Sequence, residues 1–136
     1  MTLSRQVLLL SFLNLLAFGP LTASDKAKPL PLGTWGGEHA VVTVEAAAAE
    51  IEFDCAVGSI PIRPVLDTSG HFRLRGMYKA QSPAPAASEN SARDNAIYIG
   101  TVTGNKLHLE IIITGRPDHL IFDLVHDQEG HLAKCA

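Results

Sequence analysis

Two histidines late in the sequence have a spacing that suggests metal chemistry. His126 and His131 flank a four-residue segment that contains Asp127 and Glu129. If this segment is a hairpin turn, the two imidazoles face each other across it and, with one carboxylate, can hold a divalent cation. The alternative is a pair of solvated hairpin residues. Because the spacing sets no third ligand, the sequence predicts no resident cofactor.

A single tryptophan is the next candidate for ligand binding. Trp35 lies among Gly33, Gly36 and Gly37, and His39 follows two residues later. An aromatic ring with close backbone approach on both sides can serve as a ligand platform. It can equally be a core plug, with the glycines supplying the bend into a strand, and we favour the plug because a lone tryptophan usually packs.

Two arginines and a tyrosine complete the candidate ligand-binding set. Arg73 and Arg75 alternate with apolar residues, which places them on the outer face of a strand, while Tyr78 falls on the inner face. With nearby acids the arginines can form a charged recognition surface, although such residues more often only solvate a sheet.

Catalytic motifs are absent from the sequence. It has no Gly-x-Ser-x-Gly, no His-Glu-x-x-His and no glycine loop that would cradle phosphate. The chain is therefore predicted to be non-catalytic.

The first 24 residues have the pattern of a signal peptide. Arg5 precedes an apolar run, and Thr22, Ala23 and Ser24 provide small residues for cleavage. The mature chain is then secreted or periplasmic, with no further segment for membrane insertion. In such a compartment Cys55 and Cys135, the only cysteines, are predicted to form a disulfide.

Composition restricts the partners. The net charge of −3 and the lack of long basic runs argue against nucleic acid and against anionic lipid. Residues 25–32 are predicted to be a flexible leader, and residues 33–136 a single domain.

Strand-like runs separated by turn signals fill that domain. They cover residues 40–45, 50–57, 60–66, 71–79, 96–103, 106–114, 119–127 and 130–135. Short turns make neighbouring strands antiparallel, and an eight-stranded meander with one apolar face closes most naturally into a barrel. The alternative is a sandwich of two sheets.

The alternation within these runs predicts which residues face inward. The inward set is Ile51, Phe53, Cys55, Val57, Phe72, Leu74, Tyr78, Ile97, Ile99, Leu107, Leu109, Ile111, Ile113, Leu120, Phe122 and Leu124. In such a barrel two strand spacings exceed the span of a disulfide. Cys135 therefore reaches Cys55 either from a tail that folds across one end or because the first strand stops short there.

The opening of the predicted domain resembles known barrels. Gly33-Thr34-Trp35 ahead of a meander is similar to the start of lipocalin-like and avidin-like proteins, where the tryptophan closes one end. Residues 33–39 (GTWGGEH), with residues 52–55 (EFDC), resemble small exported bacterial proteins without an assigned activity. The first resemblance implies a barrel, and the second implies no function.

The sequence therefore predicts a binding module that is not an enzyme. Its ligand, an unknown small molecule, would bind at the mouth or rim of the barrel. The alternative is an exported protein-interaction module, such as a hydrolase inhibitor, that contacts an envelope protein through the loop 80–95.

Overall fold

A computed structural model describes residues 27–81 and 93–135, and these residues contain ten strands and no helix. The strands are β1 (Lys28–Pro29), β2 (Gly33–Gly36), β3 (Ala40–Val44), β4 (Ala49–Phe53), β5 (Ala56–Ile60), β6 (Val65–Leu66), β7 (His71–Ala80), β8 (Asp94–Thr103), β9 (Lys106–Ile113) and β10 (His119–His126). The predicted signal peptide and residues 82–92 of the predicted interaction loop lie outside the described residues.

Eight of these strands form a closed antiparallel barrel. Their order is β10-β2-β3-β4-β5-β7-β8-β9, and β10 closes the ring by pairing with β2. The remaining two, β1 and β6, form a separate two-stranded sheet. The predicted all-β, eight-stranded antiparallel barrel is confirmed. No helix in the described parts of the chain has the length and apolar character needed to cross a bilayer.

Three predicted strands are assigned differently in the structure. Residues 50–57 do not form one strand, because Asp54 and Cys55 make the turn between β4 and β5. Residues 130–135 are not a barrel strand, and the place beside β10 is taken by β2, around Trp35. Of residues 60–66, only Ile60 belongs to a barrel strand, since two prolines interrupt the run.

The interior of the barrel is filled by side chains. Tyr98 lies at its centre, fully buried, and a Cβ at either Gly58 or Gly76 would collide with its ring or hydroxyl. Phe72 likewise occupies the space beside Gly100. Pairing a large residue with a missing side chain lets eight strands close around a solid core.

The inward-facing set differs from the prediction on two strands. On β8 the buried residues are Ala96, Tyr98 and Gly100, so Ile97 and Ile99 point outward. On β5 the turn at Asp54 and Cys55 reverses the alternation, so Val57 also faces outward. The wide Tyr98 ring leaves room only for small neighbours inside the filled barrel. The alternation of β8 did not indicate this, because bulky residues occur on both of its faces.

Residues 27–32, predicted to be part of a flexible leader, pack against the barrel instead. Leu30 is fully buried, and its amide donates to the carbonyl of Pro64. The guanidinium Nε of Arg63 donates to the carbonyl of Leu30 at 3.0 Å. These contacts, with β1–β6 pairing, cover the barrel end at which β2 begins.

The chain after β10 runs beside Gly36 and Glu38 to the turn between β4 and β5, and it carries the disulfide. Cys135 is bonded to Cys55, with 5.2 Å between their Cα atoms, so the predicted disulfide is confirmed. Cys55 itself lies in the β4–β5 turn rather than on the inward face. The tail approaches closely because Gly36 has no side chain: a Cβ there would overlap the main chain of residues 128–130.

Candidate functional site

The candidate ligand-binding residues do not converge on one site. Trp35 is only 1% exposed, and its indole N–H donates to the carbonyl of Pro31 at 3.1 Å. Its ring stacks on the imidazole of His126 with 4.5 Å between ring centres. Trp35 is thus a core plug, as favoured from the sequence, and presents no ring face as a platform.

The predicted hairpin that would oppose the two late histidines does not form. His126 pairs with Trp35 across β10 and β2, and its Nε2 donates to the carbonyl of Leu32 at 2.9 Å. His131 instead forms an isolated bridge with Glu38, and its Nδ1 lies 2.8 Å from that carboxylate. Within residues 27–81 and 93–135, no three His, Cys, Asp or Glu residues are grouped to hold a metal.

His39 lies on the rim of the barrel end that carries the turn between β4 and β5. Its Nδ1 is 2.6 Å from Asp54 Oδ2, and its φ of 70° is in the left-handed region. The other oxygen of Asp54 accepts from the backbone N–H of Ala133 at 2.7 Å. The backbone N–H of His39 donates to the carbonyl of His131. Since His39 and Asp54 each bind the tail and also each other, the pair fastens the tail to the turn between β4 and β5.

Tyr78 belongs to an aromatic cluster at the same end. Its ring centre is 5.5 Å from that of Phe53, which in turn lies 5.3 Å from Phe122. The guanidinium of Arg116 sits 5.3 Å from the Tyr78 ring centre and pairs with Asp94 at 3.4 Å. Because Phe53 and Tyr78 are buried, the cluster fills the mouth.

Arg73 and Arg75 lie on the outer surface of the barrel, as predicted. The register aligns the outward residues of β7 to β10 in rows across the strands. One row is Arg75, Ile97, Ile112 and His119; the next is Arg73, Ile99, Glu110 and Ile121; the third is His71, Thr101, His108 and Asp123.

Four isoleucines meet in the first two rows, and we call them the isoleucine face: Ile97, Ile99, Ile112 and Ile121. Ile121 is 57% exposed and the other three are half-buried. A groove of about 540 Å³, lined in part by Thr101, borders the face on one side. By register the four isoleucines occupy neighbouring outward positions on β8, β9 and β10, and Glu110 separates Ile99 from Ile121 within their row.

Charged side chains border and interrupt the isoleucine face. Arg73 and Arg75 lie beside it on β7. Glu110 lies between Ile99 and Ile121 in their row, and its carboxylate is 2.6 Å from Nδ1 of His119. In the next row Asp123 lies 2.7 Å from Nδ1 of His108.

Every histidine of this protein has a carboxylate neighbour. Each of the six histidines lies within 4.0 Å of a carboxylate oxygen. The pKa of His131 is raised by its hydrogen bond to Glu38 and by the charge of that carboxylate. Since most of these pairs are well exposed, they orient side chains and contribute little to stability individually.

Comparison with protein-family models, with curated proteins and with solved structures finds no match to this chain. The resemblances read from residues 33–39 and 52–55 therefore stay predictions.

Sequence reasoning missed the isoleucine face because Ile97 and Ile99 were placed inside. A signal was present in residues 96–100, where Ala96 and Gly100 flank Tyr98 at a spacing of two. Small residues beside one large aromatic are typical of the crowded interior of a narrow barrel.

Proposed function

We propose that this protein is a non-catalytic binding module of an extracytoplasmic oxidising compartment, and that it contacts a protein partner through the isoleucine face. The observation that carries the proposal is the combination of a filled barrel with four isoleucines turned outward. A binding site that uses the core would need space, and Tyr98 and Phe72 occupy it.

The outward isoleucines support a protein partner on energetic grounds. Burying one such side chain contributes about 1.5–3 kcal/mol relative to leaving it in water. Four neighbouring isoleucines with arginines beside them have the composition of an interface core with a polar rim. Contiguous exposed apolar patches on small soluble domains commonly mark interaction sites.

The closure of the sheet excludes binding by addition of a partner strand. All eight barrel strands have a partner on both sides, so a ligand strand cannot be added to the barrel without opening it. Binding at the isoleucine face therefore proceeds through side chains.

The compartment is supported by two observations. The Cys55–Cys135 disulfide is typical of proteins from oxidising environments. The residues before Asp25 have the charge and apolar pattern of a signal peptide that would deliver the chain there. A small-molecule site at the mouth is the weaker alternative, because Phe53 and Tyr78 fill that end.

Site-directed photo-crosslinking tests this function in cells that export the protein. We expect a photoreactive residue at position 99 to give a discrete adduct with a protein. The same residue at position 43, an exposed threonine on β3 away from the isoleucine face, should not. Equal adducts at the two positions, or no adduct at position 99, would contradict the proposal.

A further inference from the structure

We propose that the Cys55–Cys135 disulfide is a redox switch: a dithiol reductant frees residues 128–135, which we call the tail, while the eight-stranded barrel stays folded. The switch goes beyond the proposed function, because the isoleucine face belongs to β8, β9 and β10 and includes no residue of the tail. Two features of the described residues support it. The core contains no residue of the tail, and the tail is otherwise held by contacts at the surface.

The barrel is complete without the tail. In the described parts of the chain, the buried apolar side chains all lie between Leu30 and Leu124. The ring of strands is closed by the pairing of β10 with β2 through Val125 and His126, which precede the tail. Neither the filled interior nor the closure of the ring therefore requires residues 128–135.

Hydrogen bonds hold the tail against the chain between β2 and β3. The N–H of His131 donates to the carbonyl of Gly37 at 2.9 Å, and its carbonyl accepts from the N–H of His39 at 2.8 Å. The imidazole of His131 lies 2.8 Å from the carboxylate of Glu38, and these two side chains are 73% and 72% exposed. Since the ion pair is open to water and each backbone bond contributes only modestly, these contacts hold the tail weakly.

Burial of side chains adds little to this hold. Residues 128–134 are exposed except for Gly130, which is half-buried where its main chain approaches Val41. Ala133 contributes one further bond, from its N–H to Oδ1 of Asp54 at 2.7 Å. A segment with few buried contacts and exposed hydrogen bonds opens locally at a low cost in free energy. The covalent bond is therefore the contact that keeps the tail in place.

The disulfide lies within reach of a reductant. Cys55 and Cys135 are both half-buried rather than enclosed, and Cys55 lies in the turn between β4 and β5. A thiolate of the dithiol attacks one sulfur of the bond, and the other sulfur leaves and takes a proton. The second thiol of the reductant then releases the first sulfur. Two electrons and two protons pass to the cysteines, and the dithiol becomes a disulfide.

Release of the tail changes one part of the surface. The carbonyl of Gly37, the N–H of His39 and Oδ1 of Asp54 lose their partners in the tail. The main chain of Gly36, against which residues 128–130 pack, becomes accessible. Reduction therefore exposes polar groups beside the turn between β4 and β5 and leaves the isoleucine face as it was.

NMR of the exported protein before and after addition of dithiothreitol tests the switch. Mass spectrometry after alkylation of the folded protein counts the freed thiols, and we expect two. The amide resonances of His131 and Ala133 should move to the positions of a disordered chain. Those of Tyr98 and Leu109, in the barrel strands β8 and β9, should keep their dispersed positions because the core does not involve the tail.

Two variants serve as controls. The double variant Cys55→Ser/Cys135→Ser should show the free tail without reductant and should not respond to dithiothreitol. Asp54→Ala, with the disulfide intact, removes one hydrogen bond of the tail and should leave the resonance of His131 at its ordered position. If Asp54→Ala frees the tail as completely as reduction does, the disulfide is not the contact that holds it.

Three results would overturn the redox switch. These are a disulfide that dithiothreitol reduces only in the denatured protein, loss of the dispersed barrel resonances together with those of the tail, or a tail that stays ordered after both thiols are free. Each is distinguishable from failure of the proposed function, because photo-crosslinking at position 99 does not depend on the state of the tail.

Discussion

At the scale of single residues, the barrel depends on one tyrosine. Tyr98 is fully buried, and its hydroxyl donates to the carbonyl of Met77 at 2.6 Å. Burial raises the pKa of this phenol well above its ordinary value, with smaller contributions from Tyr78 and Glu50, so the group stays protonated and keeps donating. The ring occupies the space left by Gly58 and Gly76.

The contact between Gly58 and Tyr98 can be tested with a double-mutant cycle. Gly58→Ala places a methyl group against the hydroxyl and should lower the free energy of unfolding by about 1–3 kcal/mol. Tyr98→Phe should cost about 1 kcal/mol through the lost hydrogen bond. The double variant should be less destabilised than the sum by about 0.5 kcal/mol or more, because the phenylalanine relieves the collision.

Urea unfolding of the four proteins measures this coupling. Gly104→Ala is not a suitable control, since Gly104 has a positive φ of 61° and substitution there is strained for another reason. Thr43→Ala, on the outside of β3, is the matched control and should be additive with Tyr98→Phe. Strict additivity of Gly58→Ala and Tyr98→Phe would contradict the packing described for the core.

Residues such as Ile97 and Ile99 show why the interior was hard to read from the sequence. The run from Ala96 to Gly100 has bulky residues at both parities, so alternation alone cannot tell inside from outside. The choice is made by Tyr98, whose ring needs small neighbours on its own strand and on strands distant in sequence. That information is tertiary, and a single strand does not contain it.

At the scale of elements, the segment 27–32 and the chain after β10 are both fastened to the barrel although neither belongs to its eight strands. The first was predicted to be flexible because it is short, polar and contains prolines. Its anchoring comes from Leu30, which is fully buried although Leu32, two residues away, is 49% exposed. This buried side chain, the pairing of β1 with β6 and the hydrogen bonds of Leu30 with Pro64 and Arg63 hold the segment together.

This anchoring predicts different effects for two neighbouring leucines. Leu30→Ala should lower the free energy of unfolding by about 2–5 kcal/mol, as loss of a fully buried leucine does. Leu32→Ala, a chemically identical change on an exposed side chain, should stay within about 0.5 kcal/mol of wild type. Chemical denaturation measures both. Equal, small effects would mean that residues 27–32 contribute little to the fold.

The tail after β10 should respond to pH through His131. Its pKa is raised in the folded protein by Glu38, so protonated His131 is held by that carboxylate. The stabilisation is fully present below the ordinary imidazole pKa of about 6.5 and is lost as the pH rises through the raised value. The tail is therefore fastened more firmly in mildly acidic solution than in alkaline solution.

Histidine titration by NMR checks this dependence. Glu38→Gln should lower the pKa of His131 towards the ordinary value, because both the hydrogen bond and the charge are weakened. Glu129→Gln should lower it less, since Glu129 contributes only through its charge. Glu45→Gln, at an exposed site after β3, should leave it unchanged. An unaltered pKa in Glu38→Gln would refute this account of the tail.

At the scale of the whole molecule, the closed barrel and its disulfide were predictable, and the pairing of β2 with β10 that closes the ring was not. Turn signals such as Gly104 and Asn105 mark a hairpin directly, since β8 and β9 flank them. By contrast, the alternation of residues 50–57 runs through the turn at Asp54 and Cys55 without a break, so two strands look like one. The strand β2 was missed as well, and the count stayed at eight because residues 60–66 and 130–135 were each assigned a strand.

The isoleucine face was less predictable than the fold, because its residues are brought together by the pairing of several strands. The arginines of β7 were placed outside by local alternation, and correctly so. The isoleucines that they border depend on which side of β8 faces Tyr98, and on the register that brings Ile112 and Ile121 beside them. Because these residues come from four strands, they become neighbours only after the strands have paired.

The bond between Cys55 and Cys135 has a consequence for the integrity of the chain. It spans a sequence separation of 80, which includes the segment 82–92 between β7 and β8. A protease that cuts once anywhere inside this span produces two fragments that remain covalently joined. The nicked molecule therefore migrates as one species until a reductant is added, and a single scission does not release either half.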